Sequence, residues 1–269
     1  MFDEDAKIIQ RMAPMLQRVL VVDPKASGAR LISDLMRDIA RAQIWVAETN
    51  ETGMRLAKSF DPQVIFAEMG PAPIDGIAFT RALRTSHISA RYVPVIMITS
   101  QATAGGILAA RDAGVHEFLR KPFTVKDLLR RLEAVTLRPR DWVEAVEYIG
   151  PDRRRFNSGD YKGSLKRRTD VREDEDLERM IQALKILRSA IDAAASHPMQ
   201  AMRSMQTQVI DLRTCATNLA DLKLTTAVID FGRFLQEIEH DGAPYDAAQL
   251  ELKAAPLLAY MLKDQAAAA

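Results

Sequence analysis

Cysteine is almost absent: Cys215 is the single one in 269 residues. An internal disulfide framework is therefore excluded, and a reducing compartment suits the chain. Net charge is also nearly absent, at a formal +1, so there is no global pull toward nucleic acid or membrane and an electrostatic partner must be met by a local patch. No apolar stretch approaches the roughly 20 residues needed to span a bilayer. The start, Met1-Phe2-Asp3-Glu4-Asp5, lacks the basic opening of a secretory signal, and a cytoplasmic location is expected. The four histidines, His87, His116, His197 and His240, are scattered without metal-ligand spacing, so no metal site is expected. Neither a Gly-rich phosphate loop nor a nucleophile elbow occurs.

What is present is ordinary globular material, 48% hydrophobic and 27% charged, with room for one large domain or two modest ones. Short apolar runs at Val19–Val22, Ile44–Ala47, Val64–Ala67, Val95–Ile98 and Glu117–Leu119 read as strands. Between them, Ala29–Ile39, Thr52–Ser59, Ile77–Leu83, Ile107–Asp112 and Val125–Val135 carry helical periodicity. Strands alternating with helices predict an α/β fold, a five-stranded, doubly wound parallel sheet. Glu4–Met12 is read as a short extra helix ahead of it, within an N-terminal extension at 1–17. The sheet domain is expected at 18–137.

Residues 138–172 lack the apolar periodicity of a packed element and read as an extended basic linker. They contain a small repeat, Tyr148-x-Gly150-x-x-Arg153-Arg154-Arg155 followed by Tyr161-x-Gly163-x-x-Lys166-Arg167-Arg168. From there to about 265 a mainly α-helical module is expected. Leu177, Met180, Leu184, Leu187, Ile191 and Ala194 follow three- and four-residue spacing, as do Met202, Met205, Val209, Leu212, Ala216 and Leu219. Further helices are expected at Thr225–Ile238 and from Asp246 to Lys263, the last bent or restarted at Pro256. Cys215 lies beside the apolar stripe and reads as a core filler. His197, next to Pro198, reads as a helix-start residue.

Four features fall at the ends of expected strands: Asp23, Glu68, Thr99 and Lys121. In a parallel sheet these ends gather at one edge, where open α/β folds bind ligands. Two acids, a hydroxyl and an ammonium together suit a phosphoryl group, the acids facing Mg²⁺ and the others facing phosphoryl oxygens.

With Val21-Val22-Asp23, Asp75-Gly76, Pro94 to Thr99, Ala113-Gly114 and Phe118-Leu119-Arg120-Lys121-Pro122-Phe123 in this order, the chain resembles the bacterial response-regulator receiver family over about residues 18–136. The resemblance implies a flavodoxin-like sheet, with Thr99 as switch hydroxyl, Phe118 as switch aromatic and Lys121 as phosphate contact. It places Asp23 in a metal-holding acidic pair, but the second member falls at Pro24, which has no carboxylate. The phosphoacceptor position falls at Glu68. Glutamate adds a methylene, a displacement of about an ångström that costs about 100-fold in rate, and loss of an acid at Pro24 weakens Mg²⁺ binding in the same direction. The expectation is a pseudo-receiver with no catalytic residues, no turnover and no cofactor, weak Mg²⁺ binding being possible but not expected. Glu68 has two readings: a partial mimic of phosphate charge, or an inert acid paired with Lys121.

The expected work is bacterial signal transduction through protein–protein interaction with other signalling proteins, and the C-terminal helices offer a surface for a homodimer. Two alternatives differ in kind. In one, Arg153, Arg154, Arg155, Lys166, Arg167 and Arg168, with interleaved aromatics, hold a cyclic dinucleotide or nucleic acid. In the other, the receiver takes phosphate at a different residue.

Overall fold

The computed structural model describes residues 2–70, 74–101, 103–153, 168–241 and 246–267. Helix α1 (Phe2–Met12) precedes five strands: β1 (Arg18–Val22), β2 (Gln43–Ala47), β3 (Val64–Glu68), β4 (Val95–Thr99) and β5 (Glu117–Arg120). They form one parallel sheet in the order β2-β1-β3-β4-β5, as the alternating pattern predicts. Helices α2 (Ala26–Ala40), α3 (Asn50–Phe60), α4 (Gly76–Thr85), α5 (Ala104–Asp112) and α6 (Val125–Thr136) connect and follow the strands.

The strands read as apolar runs because the central ones are covered on both faces. Val19, Val21, Phe66 and Ile98 point to the side of α1, α2 and α6, among Met36 and Leu132. Their neighbours Leu20, Val22, Ala67 and Met97 point to the side of α3, α4 and α5, among Phe79 and Ala110. Period-two alternation thus feeds two apolar cores from each strand.

Helix starts are set by side-chain caps. Asp75 accepts from the backbone N–H groups of Ile77 and Ala78 at 3.0 Å and opens α4. Thr49 opens α3 in the same manner, accepting from Thr52. Thr124 and Asp127 form a reciprocal capping box on α6, and the Thr124 hydrogen bonds hold the Asp127 carboxyl below its usual value.

The segment expected to be an extended linker is folded in part. Residues Trp142–Glu144 (β6) and Ile149–Pro151 (β7) form a two-stranded sheet, and Ile149, Gly150 and Pro151 are buried. Three-residue strands are too short for periodicity to reveal them. Their burial comes from contacts distant in the chain, such as Gly150 against Gly114.

Helices α7 (Arg168–Asp192), α8 (Pro198–Asn218), α9 (Leu222–Asp241) and α10 (Ala247–Ala267) follow. Helix α7 begins before the expected boundary at 173, α9 begins ahead of Thr225, and α10 runs through Pro256 without a break. Among the described residues, contacts divide the chain into two units. One holds residues up to 143 together with 148–153; the other holds 144–147 and the residues from 168 on.

In the second unit α7 packs on α8 and α10, and α9 packs on the same two. Met180, Leu184, Leu187, Ile191 and Ala194 are buried as their spacing predicts, whereas Leu177 at the outer end of the stripe is 41% exposed. Residues 144–147 belong to this core: Val146 packs against it. The Glu144 carbonyl accepts from buried Ser204 at 2.8 Å and from buried Gln208 at 3.3 Å.

Candidate functional site

Strand register brings the four strand-end residues to one edge. Val22 is level with Ala47 and Ala67, Glu68 with Ile98, and Thr99 with Arg120. Asp23 therefore follows β1 beside Glu68 at the end of β3, and Lys121 follows β5 beside Thr99 at the end of β4.

Asp23 is 2% exposed. Its Oδ1 accepts from the Lys25 N–H at 2.8 Å, which closes the turn into α2. Its Oδ2 lies 3.5 Å from Lys121 Nζ, and the same ammonium donates to Glu68 Oε2 at 2.5 Å. One lysine thus bridges both acids. The Lys121 backbone is held by its N–H donating to the Thr99 carbonyl at 2.8 Å, and the Lys121–Pro122 peptide is cis.

Two glycines make room for these groups. A Cβ on Gly28, in the first turn of α2, would stand 2.3 Å from Asp23 Oδ2, and one on Gly76 would stand 2.5 Å from the Glu68 carbonyl oxygen. Gly76 allows α4 to start directly against the end of β3. Pro24, at the second acidic position of the resemblance, contributes no side-chain ligand.

Asp23 and Glu68 both face the Lys121 ammonium, so a divalent cation at this edge would compete with that ammonium for their oxygens. Among the described residues no cluster of three or more His, Cys, Asp or Glu side chains is placed to hold a metal.

Thr99 is buried at 4% exposure. Its hydroxyl accepts from the Gln101 N–H at 3.0 Å and donates to the Gln101 carbonyl at 3.2 Å. The hydroxyl is thus spent on the turn that follows its own strand. Phe118 is half-buried and packs against the core under α3, α4 and α5. Asp23, Glu68 and Lys121 are brought together; Thr99 stands in the row with its hydroxyl engaged elsewhere.

Of the basic residues read as an anion contact, Arg153 has structural partners. Its Nη1 pairs with Asp112 at 2.8 Å, and its guanidinium lies 3.5 Å from the Tyr148 ring centroid. Arg154, Arg155, Lys166 and Arg167 lie outside the described residues; Arg168 opens α7, and its side chain is not among those described. His197 is exposed at the start of α8 with Nδ1 3.0 Å from the Ser196 hydroxyl. Cys215 is buried, and burial pushes its thiol up to about 11. A cluster of Arg84, His116 and Trp142 was not legible as a unit. The available signal was Arg84 at the buried spacing of α4, four residues after Thr80.

Residues 19–133 match the response regulator receiver domain family model. The Probable chemotaxis protein CheY of Rhizobium etli is 28% identical over 118 residues, 44% of this chain and 91% of that protein. The chemotaxis protein CheY of Pseudomonas aeruginosa is 27% identical over 118 residues, 44% of this chain and 94% of that one. The KDP operon transcriptional regulatory protein KdpE of Escherichia coli is 31% identical over 123 residues, 46% of this chain and 52% of that one. The segment 19–133 is a receiver domain of two-component signalling, followed by a helical C-terminal region.

Proposed function

We propose that this receiver domain is a pseudo-receiver: it takes no phosphoryl group at Glu68 and works in signalling by binding other signalling proteins. The observation that carries the reading is the Lys121 ammonium lying between Glu68 Oε2 at 2.5 Å and Asp23 Oδ2 at 3.5 Å. The cation that neutralises the acids is supplied by the chain. Aspartyl phosphorylation needs a carboxylate of defined reach beside a metal that neutralises incoming phosphoryl oxygens. Here the carboxylate is one methylene too long, and Pro24 removes an oxygen ligand.

Between the two readings of Glu68, the inert pairing is favoured. A phosphate mimic must recruit the switch hydroxyl, and both partners of the Thr99 hydroxyl are backbone atoms of Gln101. The site is then a fixed strut between β1, β3 and β5 that holds the domain in one state as a binding module, with no turnover.

Incubating the full chain with Mg²⁺ and a small acyl-phosphate donor, followed by intact mass measurement, tests the reading. An unchanged mass is expected. A phosphoryl adduct lost on Glu68→Gln would overturn it, and an adduct that survives Glu68→Gln would establish phosphorylation at another residue.

A further inference from the structure

The receiver unit holds a second cluster of charged groups at the opposite, entry ends of the strands. Arg84, in the last turn of α4, is 1% exposed. Its guanidinium is solvated by carbonyls. Nε and Nη2 donate to the Gly114 oxygen at 3.1 and 3.0 Å, and Nη1 donates to the Arg91 and Val93 oxygens at 2.5 and 3.0 Å. Nη2 also lies 3.3 Å from His116 Nδ1, just before β5. Among the described residues no carboxylate pairs with this guanidinium. Burial lowers it to about 9, so it remains a cation at neutral pH.

An Arg N–H can only donate, and the Val95 N–H also points at His116 Nδ1, at 3.4 Å. Nδ1 therefore accepts, and the ring is neutral with its proton on Nε2. Trp142 of β6 lies over this pair: Arg84 Cζ is 5.2 Å from its ring centroid, and the His116 ring is 6.3 Å away at an interplanar angle of 30°. Tyr92 meets the same indole edge-on at 5.1 Å. In β7, Gly150 packs on Gly114, which adopts φ +87 where the Ile149 carbonyl comes close.

We propose that this cluster is an acid-sensitive clasp: neutral His116, acting with Arg84 and Trp142, holds residues 142–143 and 148–151 on the base of the receiver, and protonation of His116 releases them. A proton on Nδ1 replaces an acceptor with a donor aimed at another donor. It also sets two cations 3.3 Å apart. The charged and titratable groups around the ring do not relieve this. Arg84 faces it from α4, with Arg91 behind from the turn before β4. Arg140 faces it from the segment after α6, donating to the His116 carbonyl. Tyr148, just before β7, lies near Arg84. Glu117, the next residue along, is held by Arg131 at 3.0 Å and Arg140 at 3.6 Å.

Burial first, then Arg84 and Arg140, hold the docked imidazole well below its ordinary 6.5. The released state binds the proton more readily, so docking is complete above the ordinary value. It weakens as pH falls through that value toward the depressed one.

The test uses the full chain carrying Trp45→Phe, so that Trp142 is the sole indole. Its emission, amide exchange over 142–151 and the far-UV signal are followed as pH falls. Release is expected to change Trp142 emission and to speed exchange over 142–151 by about tenfold or more, while the far-UV signal is retained. His116→Asn keeps an uncharged acceptor near the Nδ1 position and is expected to abolish the transition. The same transition in His116→Asn, or one that coincides with loss of the far-UV signal, would overturn the clasp. Independently of the variant, the His116 ring protons followed by NMR must titrate below 6.5; titration at or above that value also overturns it.

Discussion

Lys121 Nζ and Glu68 Oε2 lie 2.5 Å apart, in a pair whose side chains are 28% and 12% exposed. Such a pair stabilises only while both members are present. Removing one strands the other.

Lys121→Met is expected to leave Asp23 and Glu68 as two neighbouring, largely buried acids without a counter-charge. The expected loss is about 2–3 kcal/mol of stability at neutral pH, read from urea unfolding. A midpoint equal to that of the native chain would show that the bridge contributes nothing. Glu68→Gln, which keeps a hydrogen-bonding side chain, is expected to cost less, about 1 kcal/mol.

Restoring reach and ligand together should restore chemistry. Pro24→Asp with Glu68→Asp supplies the second acid and shortens the acceptor. The double variant is expected to bind Mg²⁺ and gain an acid-stable, base-labile phosphoryl adduct in the mass assay, with each single variant gaining far less. Equal behaviour of the double variant and the native chain would place the block outside these two positions.

The close approach of α4 to β3 depends on a missing Cβ. Gly76→Ala places a methyl 2.5 Å from the Glu68 carbonyl oxygen and is expected to cost about 1–3 kcal/mol by overpacking. Gly105→Ala, on α5 with open space around it, serves as the control. It is expected to be neutral or slightly stabilising, by up to about 1 kcal/mol.

In the helical unit, Ser204 and Gln208 both donate to the Glu144 carbonyl. Ser204→Ala is expected to cost about 1 kcal/mol. Combining it with Gln208→Leu should cost more than the sum of the two, because the second change leaves a buried acceptor unpaired. Strict additivity in thermal unfolding would mean that the carbonyl finds another donor.

Cys215 should be inert in the folded chain. Its thiol is pushed up to about 11 by burial, so alkylation at neutral pH is expected to track unfolding and to accelerate sharply in denaturant. Rapid modification of the native chain would show that the helical core opens readily.

The five strands and the order of the strand-end residues were legible because each is a local signal. Val64-Ile65-Phe66-Ala67 is apolar throughout since β3 is covered on both faces, and turn residues mark where it stops. The helical stripes were legible for the same reason, with Leu177 failing where its stripe runs past the end of the core. The β6–β7 hairpin was not legible. Its strands are three residues long and are packed against Gly114, Arg84 and His116, which lie at great separation in the chain. The partners of Arg153, Asp112 and Tyr148, were not legible on the same ground, since they are chosen by packing and leave no mark beside it.

The amino-acid sequence by itself determined which groups stand at the sheet edge: a glutamate one methylene longer than an aspartate, a proline next to Asp23, and a lysine after β5. Covalent length and ligand count follow from residue identity alone. Only the tertiary structure decided how those groups spend their charge. It brings β1, β3 and β5 side by side, so that one ammonium reaches two acids, and it turns the Thr99 hydroxyl onto Gln101. Which donor meets which acceptor depends on distances of a few ångströms between residues far apart in the chain. Those distances exist only once the sheet has closed.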